Sequence, residues 1–194
     1  MAKTSVLNLP NYLTFGRILA VPAMVACFFF PGDDSRWIAL VIYVAAAITD
    51  FFDGYFARAW KQQSALGRML DPIADKLLVS TCLLLLVADG TIGLWSQIAA
   101  IIILCREILV SGLREFLAEL RVSVPVTRLA KWKTTAQLVA VGVLIVGPAG
   151  EGLVPHLSVY GLVLLWVSAV LTLYTGYDYF RAGLGPLIDS DGAD

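Results

Sequence analysis

Four aspartates carry the first chemical signal. Asp50 and Asp53 stand three residues apart, and Asp71 and Asp75 four apart. On a helix, either spacing puts both side chains of a pair on one face. Four carboxylates gathered where solvation is poor repel one another, so either some hold protons or a cation neutralises them. Ligands made of oxygen alone favour hard Mg²⁺ or Mn²⁺ over zinc. Taken singly, such an aspartate could be structural or relay a proton. Asp71 before Pro72 could also cap a helix, with proline in its first turn. Four at these spacings read better as one site. Gly54 follows Asp53, and Gly67 precedes Asp71 by four residues. A glycine there admits a flat ligand or a backbone, or serves plain helix packing. Arg58 could pair with a phosphate or anchor the chain at a membrane surface.

The elements that must hold these residues are membrane helices. Of 194 residues, 59% are hydrophobic and 15% charged; an ordinary soluble domain has about a quarter charged. A spanning helix needs about 20 apolar residues. Six stretches qualify: 12–30, 37–57, 69–88, 92–113, 134 to just beyond 146, and 157–179. Turn residues separate them at Pro31-Gly32-Asp33-Asp34, Asp89-Gly90 and Gly147-Pro148-Ala149-Gly150. The chain reads as one membrane domain, 1–185, with a short polar tail, 186–194, that lacks order of its own. The first apolar stretch has no cleavage site and reads as a retained span. Cys27, Cys82 and Cys105 lie singly in apolar runs, with neither metal-binding nor disulfide spacing. No nucleic-acid partner is expected, and the net charge of −1 by itself says little about partners.

Charge placement gives an orientation and a site. Thirteen of the fourteen Lys and Arg residues fall on the side that holds both termini, and Arg36 alone on the other. The termini are therefore expected in the cytoplasm, with the chain a multi-pass protein of the cell membrane. The second, third and fourth spans are apolar only in their outer halves. Their inner halves carry Asp50, Asp53 and Arg58, then Asp71, Asp75 and Lys76, then Arg106, Glu107 and Arg114. Each charge within hydrocarbon costs at least ~2.5 kcal/mol, so these side chains turn away from lipid. The expected fold class is an all-α integral membrane protein, six transmembrane helices with a polar cavity open to the cytoplasmic side.

In order, the site residues read Asp50-x-x-Asp53-Gly54-x-x-Ala57-Arg58, eight residues, then Gly67-x-x-x-Asp71-x-x-x-Asp75. This resembles the full signature of the CDP-alcohol phosphotransferase family, whose six-helix architecture agrees with the spans. Residues 8–17, 105–115 and 131–137 also resemble the members of that family that act on glycerol phosphate. The resemblance implies transfer of a phosphatidyl group from CDP-diacylglycerol to sn-glycerol 3-phosphate, giving phosphatidylglycerol phosphate and CMP. It implies two Mg²⁺ or Mn²⁺ ions held by Asp50, Asp53, Asp71 and Asp75, with Asp75 as general base. It further implies that Gly54, Ala57, Arg58 and Gly67 receive the CDP headgroup, with Asn11, Thr14 and Arg17 at its nucleotide end. A homodimer in membrane lipid goes with the family.

An acceptor that carries phosphate needs Arg or Lys. Arg106, Arg114, Lys131 and Lys133 stand where the fourth and fifth spans meet the inner loop, as phosphate ligands or as ordinary surface anchors. Glu107 could pair with Arg106. His156 falls in an outer loop, far from this chemistry. A rival within the family uses inositol phosphate, serine or phosphatidylglycerol as acceptor. A rival of another class is a metal or proton transporter, which the one-sided charges and the absence of an internal repeat disfavour.

Overall fold

The computed structural model describes residues 9–59, 65–120 and 128–191. Among them the chain is helical throughout, with no strand: α1 (Leu9–Phe29), α2 (Asp33–Ala59), α3 (Ala65–Ala88), α4 (Gln97–Glu119), α5 (Arg128–Gly150) and α6 (Leu157–Asp191). The order follows the six apolar stretches, and the departures have local causes. α2 starts inside the expected turn, because Asp33 and Asp34 suit the positive end of a helix dipole. α3 starts at Ala65, which leaves Pro72 inside the helix. Asp71 is therefore a mid-helix residue and not a cap. α4 begins at Gln97 and not near 92, after a turn in which the Ser96 amide bonds the Gly93 carbonyl at 2.9 Å.

Two further expectations are revised. The turn expected at 147–150 is a break inside α5, where Gly147 leaves helical geometry (φ 0°, ψ −85°) just before Pro148. Proline has no N–H for the preceding turn, so the helix changes course there. The tail expected to begin at 186 without order is helical to Asp191. A formed helix extends at little cost per residue, and the tail only prolongs α6, which is 35 residues long in all.

The chain is an all-α integral membrane protein. Among the described residues, three stretches are long and apolar enough to cross a bilayer by length and composition alone: Asn11–Phe29, Leu129–Gly150 and Leu157–Gly183. α2, α3 and α4 are the helices that carry the charged inner halves. Large apolar side chains such as Leu19, Val41, Leu84, Ile108 and Val170 are exposed. In water such a surface would aggregate; in hydrocarbon it is solvated. Exposed Tyr12 and Trp132 sit at the starts of α1 and α5, and exposed Trp95 just before α4, as aromatic residues do at membrane interfaces.

The helices form two compact units, Met1–Ile92 with Val141–Val159, and Gly93–Ala140 with Tyr160–Asp194. In the first, α1 packs on both α2 and α3. Its core comes from helical stripes: Ala39, Tyr43 and Ala46 on α2, then Ala74, Leu78, Cys82 and Leu86 on α3. Arg36 ties the opposite end together. It pairs with Asp89, lies 4.5 Å over the Phe28 ring and donates to the Ile145 carbonyl at 3.4 Å.

In the second unit the buried stripe of α4 runs Ala99, Ile103, Val110, Leu117. α6 contributes Leu165, Ser168, Ala169, Thr172 and Thr175. Gly176 and Gly183 let α6 come close to α4. A Cβ at Gly176 would stand 3.1 Å from Arg106 Cγ, and one at Gly183 2.7 Å from Leu117 Cδ1. Small residues at such spacing are how membrane helices approach one another.

Candidate active site

The first unit gathers the carboxylates. Asn11, Thr14 and Arg17 recur every three residues on α1 and are all buried, Arg17 at 1% exposure. That face meets α2 and α3. Arg17 Nη1 lies 2.8 Å from Asp50 Oδ1 on α2, and the same nitrogen pairs with Asp75 Oδ1 on α3. Thr14 Oγ1 donates to Asp71 Oδ1 at 2.6 Å. Three of the four predicted carboxylates are therefore held from one helix. Their outward sides stay open, with the side chains of Asp50 and Asp75 exposed by 46% and 47%. Gly67 is buried at the start of α3. Lys76 turns back along its own helix to the Pro72 carbonyl at 2.9 Å and stays out of the cluster. Asp53, Gly54, Ala57 and Arg58 lie on α2, and their side chains are outside the described residues.

Asn11, Thr14 and Arg17 are thus brought to the aspartates, two of them by direct bonds to carboxylate oxygens. A buried guanidinium between two half-open carboxylates lowers their repulsion, because each gains an opposite charge at contact distance. Formally, the three described aspartates and one arginine leave two negative charges on all-oxygen donors, a set that fits hard divalent cations. Among the described residues, no three acidic, imidazole or thiol side chains converge on a single point. The fit is therefore one of donor chemistry, with Arg17 already lying between Asp50 and Asp75.

The second unit holds a separate polar cluster. Glu107 Oε1 accepts from Arg106 Nη1 at 3.3 Å and also pairs with Lys133. Arg106 Nη2 donates to Thr175 Oγ1 at 3.0 Å, and Thr175 Oγ1 donates to the Leu171 carbonyl at 2.9 Å. Lys133 and Gln137 are buried one turn apart on α5. A buried ammonium and a part-buried guanidinium joined through one carboxylate oxygen make a site able to take an anion, since both groups bond phosphate strongly. Of the other two predicted cations, Arg114 stands near enough for its charge to act on both Arg106 and Lys133. Arg114 is exposed, its guanidinium 5.7 Å from the Tyr179 ring centre. Lys131 is exposed too, because residues two apart on a helix do not share a face with each other.

Sequence reasoning passed over Thr175 and Gly176, and left Glu107 only as a partner of Arg106. A signal was present in α6. Gly161, Ser168, Thr172, Thr175, Gly176 and Gly183 are small or hydroxylated residues at helical spacing in an otherwise apolar helix. Such a stripe marks a face that packs closely or bonds across to a neighbour.

Comparison with known proteins shows the family. A family model described as CDP-alcohol phosphatidyltransferase matches residues 7–174. The chain belongs to that family. It is 46% identical over 175 residues to a CDP-diacylglycerol–glycerol-3-phosphate 3-phosphatidyltransferase of Rickettsia felis, covering 90% of this chain and 94% of the relative. A protein of the same description from Rickettsia typhi is 47% identical over 175 residues, covering 90% and 96%. Another from Cereibacter sphaeroides is 40% identical over 216 residues, covering 94% and 98%. Enzymes of this family are generally metal-dependent.

Proposed function

We propose that the chain is a membrane-embedded transferase that moves the phosphatidyl group of CDP-diacylglycerol to sn-glycerol 3-phosphate, releasing CMP. One observation carries the reading. Asp50, Asp71 and Asp75 gather on one face of α1, in a chain that matches phosphatidyltransferases over 90% of its length.

In the reaction, a hydroxyl oxygen of glycerol phosphate attacks the lipid-bearing phosphorus of the donor. The P–O bond to CMP breaks, and the hydroxyl proton leaves to a base. Asp75 is the group proposed to take that proton on its carboxylate. Arg17 steadies Asp75 and Asp50, and Thr14 steadies Asp71, so the carboxylates need little reorganisation during the reaction. Asp50, Asp53, Asp71 and Asp75 would hold two Mg²⁺ or Mn²⁺ ions. Bound there, such ions neutralise the charge that grows on the pyrophosphate oxygens. Asn11, Gly54, Ala57, Arg58 and Gly67 would receive the CDP headgroup. Arg106 and Lys133 would bind the acceptor's phosphate, with Arg114 and Lys131 drawing it in from the surface.

The same reading gives the setting. The substrates mismatch, because glycerol phosphate and CMP are water-soluble and the donor's tails are not. Pulling the tails from lipid would cost ~0.8 kcal/mol per CH₂. A polar cavity that opens both to the cytoplasm and sideways to the bilayer serves both substrates. The charge bias supports cytoplasmic termini in the inner membrane, and the family resemblance supports a homodimer.

The test is an assay of the purified protein with CDP-diacylglycerol and a panel of labelled acceptors. CMP release with glycerol 3-phosphate, and not with serine, inositol phosphate or phosphatidylglycerol, is the expected outcome. Release with another member of the panel alone would replace this acceptor.

A further inference from the structure

Four buried side-chain atoms among the described residues lack a hydrogen-bond partner, and three of them fall in the second unit: Arg106 Nε, Gln137 Oε1 and Thr172 Oγ1. Buried polar atoms are nearly always satisfied, because an unmade bond there costs about 1–3 kcal/mol. Three in one unit mark a place where something polar belongs. Gln137 is 6% exposed and Thr172 fully buried. Each stands one turn or less from a residue of the cationic cluster on its own helix: Gln137 four residues after Lys133, and Thr172 three before Thr175. Along α5, Gln137 lies farther from the helix start than Lys133 does, and along α6, Thr172 lies farther from the helix end than Thr175 does.

We infer that Gln137 is a specificity-determining residue that accepts a hydrogen bond from a hydroxyl of the acceptor, with Thr172 beside the same hydroxyl. The inference rests on the reading of Arg106 and Lys133 as the acceptor's phosphate site and adds what recognises the rest of that molecule. The chemistry sought is a short polyol phosphate, anionic at one end and hydroxylated about one helical turn, ~5.4 Å, away. An amide oxygen suits a hydroxyl donor and gives a second phosphate nothing. The hydroxyl concerned is the one at the central carbon, which the transfer leaves unchanged. An acceptor lacking it would leave Gln137 unpaired in the bound state, and such a loss weakens recognition more than a missing apolar contact does.

The experiment compares glycerol 3-phosphate with 3-hydroxypropyl phosphate, which keeps the reacting hydroxyl and the phosphate but lacks the central hydroxyl. In the wild-type protein, kcat/KM should favour glycerol 3-phosphate by about tenfold or more. Gln137→Met keeps the volume and removes the acceptor oxygen. It should bring that ratio to within about twofold of one, mainly through the KM of glycerol 3-phosphate. Thr172→Val, also volume-conserving, should lower the ratio part of the way. A wild type that uses both acceptors equally overturns the inference without need of a variant. So does a Gln137→Met protein that keeps the wild-type ratio. Lys133→Ala separates the two readings. If it leaves the KM of both acceptors unchanged, the phosphate assignment fails. If it raises both while the Gln137→Met ratio stays wild type, only the hydroxyl assignment fails.

Discussion

Arg17 Nη1 stands 2.8 Å from Asp50 Oδ1, and the same nitrogen pairs with Asp75 on a third helix. One cation buried at 1% exposure thus joins residues from three parts of the sequence, under carboxylates that stay half open. Removing one partner of a fully buried ion pair costs about 3–5 kcal/mol, but half-exposed carboxylates regain much of that from solvent. Arg17→Met should therefore destabilise the protein by about 1–3 kcal/mol, visible as a lower thermal midpoint in detergent. Arg17→Lys should recover part of the loss, since one ammonium can meet two carboxylates. A methionine variant as stable as wild type would deny the bridge any structural weight.

Metal dependence follows from the donor set. Excess EDTA should abolish CMP release, and Mg²⁺ or Mn²⁺ should restore it. Titration calorimetry with Mn²⁺ should show binding to the wild type and none, or far weaker binding, to Asp71→Asn. Undiminished turnover in EDTA would contradict the proposed role of the aspartates.

The acceptor cluster predicts a split between the two substrates. Lys133→Ala should raise the KM for glycerol 3-phosphate about tenfold or more, since a charge-assisted bond to phosphate is worth about 1.5–3 kcal/mol. The KM for CDP-diacylglycerol should move little. Glu107→Ala should act in the same direction, because Glu107 holds both Arg106 and Lys133. Lys131→Ala, on the exposed face, should change either constant by less than about threefold. Steady-state kinetics with each substrate varied checks all three, and equal losses for both substrates would argue against a separate acceptor pocket.

Gly176 and Gly183 of α6 should differ. At Gly176 a new side chain meets the Cγ of Arg106, 3.1 Å from an added Cβ, so Gly176→Val should displace the guanidinium and raise the KM for glycerol phosphate. At Gly183 the nearest atom is the far end of Leu117, which can swing aside, so Gly183→Ala should keep wild-type KM values. Kinetics and thermal midpoints of both variants decide this. A Gly176→Val enzyme with an unchanged KM would mean that Arg106 does not depend on α6.

Much of this was legible in the sequence, for physical reasons. The aspartate pairs could be read because helix periodicity puts Asp50 with Asp53, and Asp71 with Asp75, on single faces. The helices could be read because lipid demands long apolar runs. What escaped was pairing across distance. Thr14 and Asp71 are 57 residues apart in sequence, and nothing local says that they bond. The contacts of Arg17 with Asp50 and Asp75 are likewise distant in sequence. Lys131 and Lys133 looked like one cluster until helix geometry separated their faces. Thr175 and Gln137 carry no charge, so their burial beside Arg106 and Lys133, respectively, had no signature in composition. The kink at Gly147 appeared as a loop, because Gly-Pro punctuation marks a broken helix and a turn alike.

The most direct measurement of the central claim is transfer of label from radioactive glycerol 3-phosphate into lipid by protein in bilayer nanodiscs with CDP-diacylglycerol. Wild type should form labelled phosphatidylglycerol phosphate and release CMP in equal amounts. Asp50→Asn, Asp71→Asn and Asp75→Asn should each form none while remaining folded and membrane-inserted. Wild-type transfer by the Asp75→Asn protein, or CMP release without labelled lipid, would contradict the account.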